Sequence, residues 1–337
     1  MAFAMQSIKG TEDKQAIYLF SAPKIFETDG MKKDLRIIFM GTPDFAVPSL
    51  EKLVENGYNI VAVITAPDKP AGRGMKLQAS AVKQAAEKLG IPILQPTNLK
   101  RTDFLEELRS YNANLQIVIA FRMLPVVVWD MPEIGTLNLH ASLLPQYRGA
   151  APIHWAVING EKETGVTTFF LKHEIDTGDL ILQEREPIHF QDTTGDVYGR
   201  LMQKGAGIVL QTVQSIEKGD YELTSQDLSK PSKHAPKIFK EDCEMDFSKT
   251  SEQIYNFVRG LSPFPMAWTE LEGNRFKIHK VSLVEIPLGE VELVTDNKTY
   301  LHLKTVDGYL SVEELQIHGK RKMNIADFLK GNSFGEK

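Results

Sequence analysis

Leu35-Arg36-Ile37-Ile38-Phe39-Met40-Gly41 is the strongest fold signal in this 337-residue sequence. It is a short apolar run that ends at a glycine, and residues 45–54 follow it with apolar positions at helical spacing. Residues 60–65 then repeat the apolar run, so the pattern predicts a strand, a helix and a second strand. This alternation is typical of a parallel β-sheet that is covered by helices.

The same alternation continues through the first half of the chain. Helices are predicted at residues 79–89 and 103–109, and strands at residues 92–94, 115–120 and 135–140. The strand at residues 115–120 is predicted to be fully buried, because five of its six residues are apolar. We therefore predict an α/β fold with a doubly wound, mostly parallel sheet, which binds ligands at the carboxyl ends of its strands.

The second half of the chain has a different pattern. After a predicted hairpin near residues 164–186 and a long helix at residues 194–216, residues 222–240 are rich in proline, lysine and serine. That composition predicts a surface linker without a packed element. A short helix at residues 251–259 and five short strands between residues 267 and 317 then predict a small β-barrel of the oligonucleotide-binding type.

Composition excludes several classes of protein. With 42% hydrophobic and 25% charged residues, the chain is typical of globular proteins rather than disordered or collagenous ones. A single cysteine, Cys243, cannot form a disulfide framework or a cysteine-based zinc site, which favours a reducing cytoplasm. No apolar run approaches the ~20 residues that span a bilayer, so no membrane association is expected.

The ends of the predicted domains follow from these patterns. Residues 1–30 lack the features of a secretory signal, and their acidic residues argue against a transit peptide. We expect them to be a leader outside the fold, with Met31 as the natural start. The predicted organisation is a first domain at residues 31–219, a linker at residues 220–240 and a barrel at residues 241–337.

The net charge of −5 is unevenly distributed. Residues 31–149 carry 14 basic and 11 acidic side chains, whereas residues 150–232 carry 7 basic and 13 acidic ones. This balance by itself does not indicate a nucleic-acid partner, so any such hypothesis depends on motifs.

The candidate catalytic residues are Asn138, His140 and Asp176. Asn138 and His140 are two residues apart at the carboxyl end of a predicted strand, so their side chains point to the same side. Asp176 lies on a turn that is able to fold back over that edge. An amide, an imidazole and a carboxylate, without a reactive cysteine, suit acyl transfer between two bound substrates. In such a reaction the protein stabilises an oxyanion and moves protons.

Other interpretations of these residues stay open at this point. A histidine in a strand is often structural, and an acidic turn is often only solvated. A metal site would need further ligands, and His154 and His173 lack a recognisable ligand spacing, so no metal is predicted. A hydride-transferring dehydrogenase is disfavoured because the first turn, Gly41-Thr42-Pro43-Asp44, lacks the three spaced glycines of a dinucleotide site.

Several motifs together resemble a known family. Asn138-Leu139-His140-Ala141-Ser142-Leu143-Leu144-Pro145, Tyr147-Arg148-Gly149 and Asp176-Thr177-Gly178-Asp179 resemble the formyltransferases that use 10-formyltetrahydrofolate. Residues 41–45, 67–77 and 261–268 are similar to the methionyl-tRNA branch of that superfamily. The resemblance extends over residues 36–268 and is looser in the terminal barrel.

The resemblance implies a Rossmann-like formyltransferase fold for the catalytic domain and a role for each candidate residue. Asn138 would hold the formyl oxygen, and His140 would stabilise the oxyanion and assist proton transfer. Asp176 would orient or charge-tune His140 and handle the proton that leaves the attacking amine. The nucleophile would be the amine of the substrate itself.

The resemblance also implies where the folate co-substrate lies. It places 10-formyltetrahydrofolate against Ser142, Leu143, Leu144 and Pro145, and against the loop that carries Phe121 and Arg122. That loop reads Phe121-Arg122-Met123-Leu124-Pro125, which departs from the Tyr-Gly that is usual in the family. The pterin contacts of Phe121 and Arg122 are therefore left open.

The implied partner is the initiator methionyl-tRNA. Residues 67–77 carry Lys69, Arg73 and Lys76 among prolines and glycines, so we expect a loop that is mobile until a polyanion orders it. In the family such a segment enters the acceptor end of the tRNA, and Arg73 matches the residue that reads the first base pair. Lys237 in the linker would add a phosphate contact.

Two alternative functions remain at this stage. One is a formyltransferase that acts on an amino sugar nucleotide or another small amine, which would have no use for the segment at residues 67–77. The other is a folate- or RNA-binding module without activity. We expect a monomer in either case.

Overall fold

The computed structural model describes residues 34–71, 76–174, 176–227, 229, 231–317 and 319–335. The predicted leader, Met31 and Arg73 lie outside these ranges. The strands are β1 (Arg36–Gly41), β2 (Asn59–Ile64), β3 (Lys69–Ala71), β4 (Lys76–Gln78), β5 (Ile93–Leu94), β6 (Leu115–Ile119), β7 (Gly135–His140), β8 (Arg148–Gly149), β9 (Glu163–Phe170), β10 (Leu180–Pro187), β11 (His234–Ala235), β12 (Ala267–Leu271), β13 (Asn274–Val284), β14 (Leu293–Thr295), β15 (Leu301–Lys304), β16 (Tyr309–Ile317) and β17 (Met323–Asn324). The helices are α1 (Val47–Glu55), α2 (Ala81–Lys88), α3 (Thr102–Ser110), α4 (Val126–Trp129), α5 (Pro152–Ile158), α6 (Thr194–Lys218), α7 (Ser251–Gly260) and α8 (Ile325–Leu329). None of these helices is long and apolar enough to cross a membrane.

The first domain is built on a seven-stranded sheet with the order β10-β9-β7-β6-β1-β2-β5. The five strands from β7 to β5 are parallel, and β9 and β10 are antiparallel to their neighbours. Every residue of β6 is buried, including the polar Gln116, as the mostly apolar run predicts. The predicted doubly wound, mostly parallel sheet is confirmed.

Strand β1 shows why the opening stretch of sequence decides this fold. Ile37 and Phe39 pack into the core on the face that α1, α2, α5 and α6 cover. Ile38 and Met40 point the other way, into the core beneath α3 and α4. All four side chains are at most 1% exposed, and full burial of such a side chain is worth about 1.5–3 kcal/mol. One strand therefore stabilises both layers of helices.

Local signals fix the ends of the longest helix. Thr193 caps the first turn of α6, where its hydroxyl accepts a hydrogen bond from the backbone N–H of Asp196 at 3.2 Å. The carboxylate of Asp196 accepts one in return from the backbone N–H of Thr193 at 2.8 Å. Gly219 ends the helix in the left-handed conformation, with φ at 68°.

The second domain contains an antiparallel sheet with the order β12-β13-β16-β15-β14, and β17 pairs with β16. All five predicted strands are present, and they curl around a core that α7 and α8 complete. This architecture is consistent with the predicted domain of the oligonucleotide-binding type. Strand β17 and helix α8 were not predicted, because elements of two and five residues are too short to show a periodic pattern.

Two sequence predictions need correction. The linker contains a packed element, because β11 pairs in parallel with β8 and Ala235 is fully buried in the core of the first domain. The predicted loop at residues 67–77 begins and ends as a hairpin, because β3 and β4 pair antiparallel. Both elements are two or three residues long and depend on backbone hydrogen bonds, which leave no apolar pattern in the sequence.

An anchor holds the base of the β3–β4 hairpin. The carboxylate of Asp68 accepts hydrogen bonds from Lys83 of α2 at 2.6 Å and from Gln95 at 2.8 Å. These hydrogen bonds, that from Lys83 above all, hold the pKa of Asp68 below its usual value. The chain therefore leaves the sheet in a defined direction before it enters the hairpin.

The two domains contact each other through α5 and α7. Gly260, the last residue of α7, lies directly against the backbone of Ile158 at the end of α5, and its carbonyl accepts a hydrogen bond from the hydroxyl of Thr194 at 2.6 Å. Arg259 donates to the carbonyl of Asp192 at 2.8 Å. A methyl group at position 260 would lie 2.9 Å from the Ile158 nitrogen, so the interface requires a glycine.

We predict that Gly260→Ala lowers the free energy of unfolding by about 1–3 kcal/mol, because the added methyl group overpacks the contact with Ile158. Gly207→Ala is the matched control, since Gly207 lies inside α6 with open space around its Cα. That change should raise the free energy of unfolding by about 0.5–1 kcal/mol through helix propensity. Urea unfolding of both variants, followed by circular dichroism, provides the measurement. An unchanged midpoint for Gly260→Ala would contradict the tight contact.

Candidate active site

Strand β7 carries the first two candidate residues at the carboxyl end of the sheet. Leu139 packs into the core beneath α6, so Asn138 and His140 face the opposite side, as the alternation predicts. His140 is buried, and Asn138 is half-buried. The side-chain amide of Asn138 makes no hydrogen bond with any residue that the structure describes. Its donor is therefore available to a ligand.

The ring of His140 is oriented by a backbone carbonyl. Its Nε2 lies 2.8 Å from the carbonyl oxygen of Tyr147. A carbonyl can only accept, so Nε2 holds its proton and donates. The other ring nitrogen, Nδ1, lies 3.9 Å from Oδ2 of Asp176. A proton can therefore be gained or released only at Nδ1, on the side of Asp176.

Tyr147 itself is held at three points. Its backbone has a left-handed conformation with φ at 58°, and its N–H donates to the carbonyl of Lys233 at 2.6 Å. Its buried hydroxyl donates to Glu161 at 2.5 Å and accepts from Asn159 at 3.1 Å. Burial and the contact with Glu161 raise the pKa of Tyr147 well above its usual value, so the phenol stays protonated. The carbonyl that orients His140 is thus fixed in place.

Asp176 reaches the site from the β9–β10 turn. Strand β9 runs antiparallel to β7, and the turn then folds back over Phe169, which is paired with Asn138. Asp176 is buried with φ at 55°, and its Oδ2 accepts a hydrogen bond from the backbone N–H of Gly149 at 3.1 Å. The 3.9 Å separation from His140 is too long for a hydrogen bond, so Asp176 faces the imidazole without bonding to it.

A glutamine holds that turn from the connecting segment, which is the predicted linker at residues 220–240. Nε2 of Gln226 donates to the carbonyl of Asp176 and to that of Gly178, at 2.8 Å each. Nη2 of Arg148 donates to Oε1 of Gln226 at 2.5 Å. A Cβ atom at position 178 would lie 1.7 Å from the carbonyl oxygen of Phe170, so the turn also requires its glycine. The sequence offered no signal for Gln226, which lies in a polar stretch.

The four residues that the resemblance assigns to folate form the loop after β7. Ser142 is fully buried, and its hydroxyl donates to the carbonyl of Gln146 at 2.6 Å. Leu144 is buried in a small cluster with Phe169 and Leu180. Leu143 and Pro145 are half-buried. Two of the four side chains therefore build the loop itself, and folate contacts for this loop stay a prediction.

Phe121 and Arg122 follow β6 at the carboxyl end of the sheet. The guanidinium of Arg122 donates to the carbonyls of Pro96 and Thr97, at 2.9 Å for Thr97, and lies 5.6 Å from the centre of the Phe121 ring. Met123, the next residue, is 75% exposed. The loop thus presents an apolar surface next to the strand end, and its pterin contacts also stay a prediction.

The residues that were predicted to contact RNA lie on the hairpin and on the connecting segment. Lys69 is exposed on β3, and Lys76 lies on β4, paired with Ala71. Arg73 comes between these strands in the sequence and lies outside the described residues. Lys237 is exposed, with its Nζ 5.0 Å from the centre of the Phe239 ring, and Phe239 is 55% exposed. A cation and an aromatic ring are thus presented together to solvent.

His154 and His173, the two histidines that were considered as metal ligands, make other contacts. The ring of His154 is hydrogen-bonded to the carbonyl of Phe264 at 3.0 Å, and the ring of His173 packs edge-on against Trp129. Burial lowers the pKa of His154. Within the described ranges, no three histidine, cysteine or acidic side chains lie together as a metal site would require.

Comparison with known proteins gives a consistent result. Residues 35–213 match the formyl transferase family, and residues 237–333 match the C-terminal domain of formyl transferases. The curated methionyl-tRNA formyltransferase of Parabacteroides distasonis is 54% identical over 315 residues, which cover 89% of this chain and 96% of the relative. That of Phocaeicola vulgatus is 55% identical over 314 residues, with the same coverage.

Solved structures share the fold at lower identity. The sugar 3N-formyltransferase WlaRD has a TM-score of 0.63 at 24% identity, covering 86% of this chain and all of that one. HypX from Aquifex aeolicus, solved with tetrahydrofolic acid, has a TM-score of 0.60 at 20% identity, covering 88% of this chain and 47% of its own. With both domains matched and more than half of the residues identical to curated relatives, the chain belongs to the formyl transferase family, among the methionyl-tRNA formyltransferases.

Proposed function

We propose that this protein transfers a formyl group from 10-formyltetrahydrofolate to the free amino group of methionyl initiator tRNA, for translation initiation. The observation that carries the proposal is the 54% identity to a curated methionyl-tRNA formyltransferase, which extends over 89% of the chain and thus through both domains. We further propose that the protein acts as a monomer in the cytoplasm.

The side chains near the strand ends suit a folate donor. The Asn138 amide is available to a carbonyl oxygen, and Phe121 and the exposed Met123 offer an apolar surface to a flat heteroaromatic ring. Half-buried Leu143 and Pro145 would extend that surface. When it is bound, the donor supplies the formyl carbon and a nitrogen as the leaving group.

The chemistry needs one oxyanion site and one proton relay. The transfer forms a bond between the substrate amine and the formyl carbon, and it breaks the bond between that carbon and the folate nitrogen. Negative charge develops on the formyl oxygen, where the Asn138 amide donates a hydrogen bond. Nδ1 of His140 accepts the proton that the amine loses and gives it to the folate nitrogen as the second bond breaks, because Nε2 is committed to Tyr147. The carboxylate of Asp176 stabilises the imidazolium in between.

The proposed RNA contacts lie on the two segments that the sequence indicated, the β3–β4 hairpin and the connecting segment. Lys69 and Lys76 on the hairpin would contact phosphates near the acceptor end, and Arg73 would read the first base pair. Lys237 and the exposed Phe239 would contact the tRNA along the connecting segment. A barrel of the oligonucleotide-binding type is suited to the same partner.

Formyl transfer from 10-formyltetrahydrofolate is the direct test. Methionyl initiator tRNA, methionyl elongator tRNA, free methionine and a nucleotide-linked amino sugar should be compared as acceptors. We expect transfer to the initiator tRNA and far slower transfer to the other three. Transfer to the amino sugar alone would replace the proposal with the small-amine alternative, and folate binding without any transfer would indicate a binding module.

We predict that Asn138→Ala lowers kcat by about 10²- to 10³-fold, the usual cost of removing one oxyanion donor. Asn56→Ala is the matched control, because Asn56 lies at the end of α1, where its side chain caps the carbonyl of Lys52. Steady-state kinetics with initiator tRNA and calorimetric titration with tetrahydrofolate provide the measurement. A turnover near that of the unmodified enzyme would remove Asn138 from the reaction.

We predict that Arg73→Ala lowers kcat/KM for initiator tRNA by about 10- to 100-fold, which corresponds to the loss of one base contact. Folate binding should be unchanged. Lys88→Ala controls for the loss of a positive charge, because Lys88 is exposed at the far end of α2, away from the hairpin anchor at Lys83. An equal loss of tRNA use and of folate binding would point to a folding defect and would contradict the assigned role.

A further inference from the structure

Both the NH₂ group and the oxygen of the Gln226 side-chain amide are hydrogen-bonded. Its two N–H groups donate to the carbonyls of Asp176 and Gly178, at 2.8 Å each, and its oxygen accepts from Arg148 at 2.5 Å. Because the guanidinium can only donate and the two carbonyls can only accept, this network fixes which end of the amide faces the turn. The amide thus has one orientation only.

Arg148 serves to hold that orientation. Among the described residues, Gln226 is the hydrogen-bond partner of its side chain, and its Nε is buried without a partner. Burying a guanidinium nitrogen without a partner lowers the stability of the folded protein. The hydrogen bond from Arg148 to Gln226 is formed in spite of that cost. Here the contact points the NH₂ group of Gln226 at the catalytic turn.

The turn needs such support because the carboxylate of Asp176 is lightly held. Asp176 has φ at 55°, in the left-handed region, which few residues other than glycine, asparagine and aspartate adopt. Among the described residues its carboxylate has one hydrogen bond, from the Gly149 N–H at 3.1 Å, and it lies 3.9 Å from Nδ1 of His140. By binding the carbonyls on either side of Thr177, Gln226 fixes the backbone from which this carboxylate projects.

We propose that Gln226 is a positioning residue for Asp176, so that the segment between the two domains completes the active site. This inference rests on the proposed function, in which Asp176 takes part in the formyl transfer. Gln226 acts on the reaction through the backbone of the turn, and it does not touch the carboxylate itself.

The other contacts of the segment separate this role from simple tethering. Thr224 pairs with Leu180 through two backbone hydrogen bonds of 2.8 and 2.9 Å, and the hydroxyl of Ser225 donates to Asp179 at 3.1 Å. These contacts keep the segment against the turn when the Gln226 amide is removed. The loss of the amide should therefore alter the placement of Asp176 and leave the segment docked.

Four variants test the proposal by steady-state kinetics with both substrates. Gln226→Ala should lower kcat by about 10- to 100-fold, the range that a small misplacement of a reacting group costs, with each KM within about threefold. Gln226→Glu should be at least as slow, because it keeps the contact with Arg148 but sets a carboxylate against two carbonyls. Ser225→Ala, which removes a neighbouring contact with the same turn, should stay within about twofold of the unmodified enzyme.

The fourth variant is Asp176→Asn, combined with Gln226→Ala in a double-mutant cycle. In the Asp176→Asn background, Gln226→Ala should cost less than about threefold, because no carboxylate is left to position. Equal costs in both backgrounds, or a Gln226→Glu enzyme with unchanged kcat, would overturn the proposal. An Asp176→Asn enzyme with near-normal turnover would instead overturn the catalytic assignment on which it rests. If Gln226→Ala does not fold, Gln226→Met keeps the length of the side chain and takes its place in the cycle.

Discussion

The close approach of the Ala235 backbone to Gly149 is the contact on which the active site depends. A Cβ atom at position 149 would lie 2.4 Å from the carbonyl oxygen of Ala235, so only glycine permits the pairing of β8 with β11. The same carbonyl accepts a hydrogen bond from the Ala151 N–H at 3.1 Å, and the Lys233 carbonyl accepts one from Tyr147. The backbone from 147 to 151 is therefore fixed from one side by the connecting segment. From its other side, the Tyr147 carbonyl orients His140 and the Gly149 N–H holds Asp176.

The sheet behind the site supplies the rigidity that this arrangement requires. Leu139 lies between Asn138 and His140 on β7 and packs against α6, where a Cβ atom on Gly205 would be 2.8 Å from its side chain. The helix can approach the strand this closely because position 205 has no side chain. Strand β7 is thus tightly packed on one face and polar on the other. A site that is built on such an element keeps its geometry more precisely than a site on loops alone.

Sequence patterns predicted the parts of this structure that side chains determine. The burial of Ile37 and Ile38 on opposite faces follows from an apolar run, and the shared face of Asn138 and His140 follows from strand alternation. The features that the sequence did not predict are those that backbone groups determine. Backbone N–H and carbonyl groups form the contacts of Tyr147, Gly149 and Ala235. Nearly every residue type has these groups, so the contacts leave no pattern in the sequence. Gln226 was missed because two of its three partners are backbone carbonyls and the third, Arg148, lies 78 residues away in the sequence.

The connecting segment has two roles that follow from its position. Up to Ala235 it belongs physically to the first domain, since Ala235 is buried in that core and Gln226 binds the catalytic turn. Directly after it come Lys237 and Phe239, which face solvent, and then the second domain. A macromolecule that binds at Lys237 would pull on a chain that is anchored two residues earlier in the active-site frame. Strand β11 pairs with Gly149, which holds Asp176, and Lys233, just before β11, binds Tyr147, which orients His140, so tension at Lys237 would be resisted where these two candidate residues are fixed. If tRNA binds at Lys237 as proposed, the short distance along the chain between Ala235 and Lys237 would let the protein hold this large substrate without moving Asn138, His140 or Asp176.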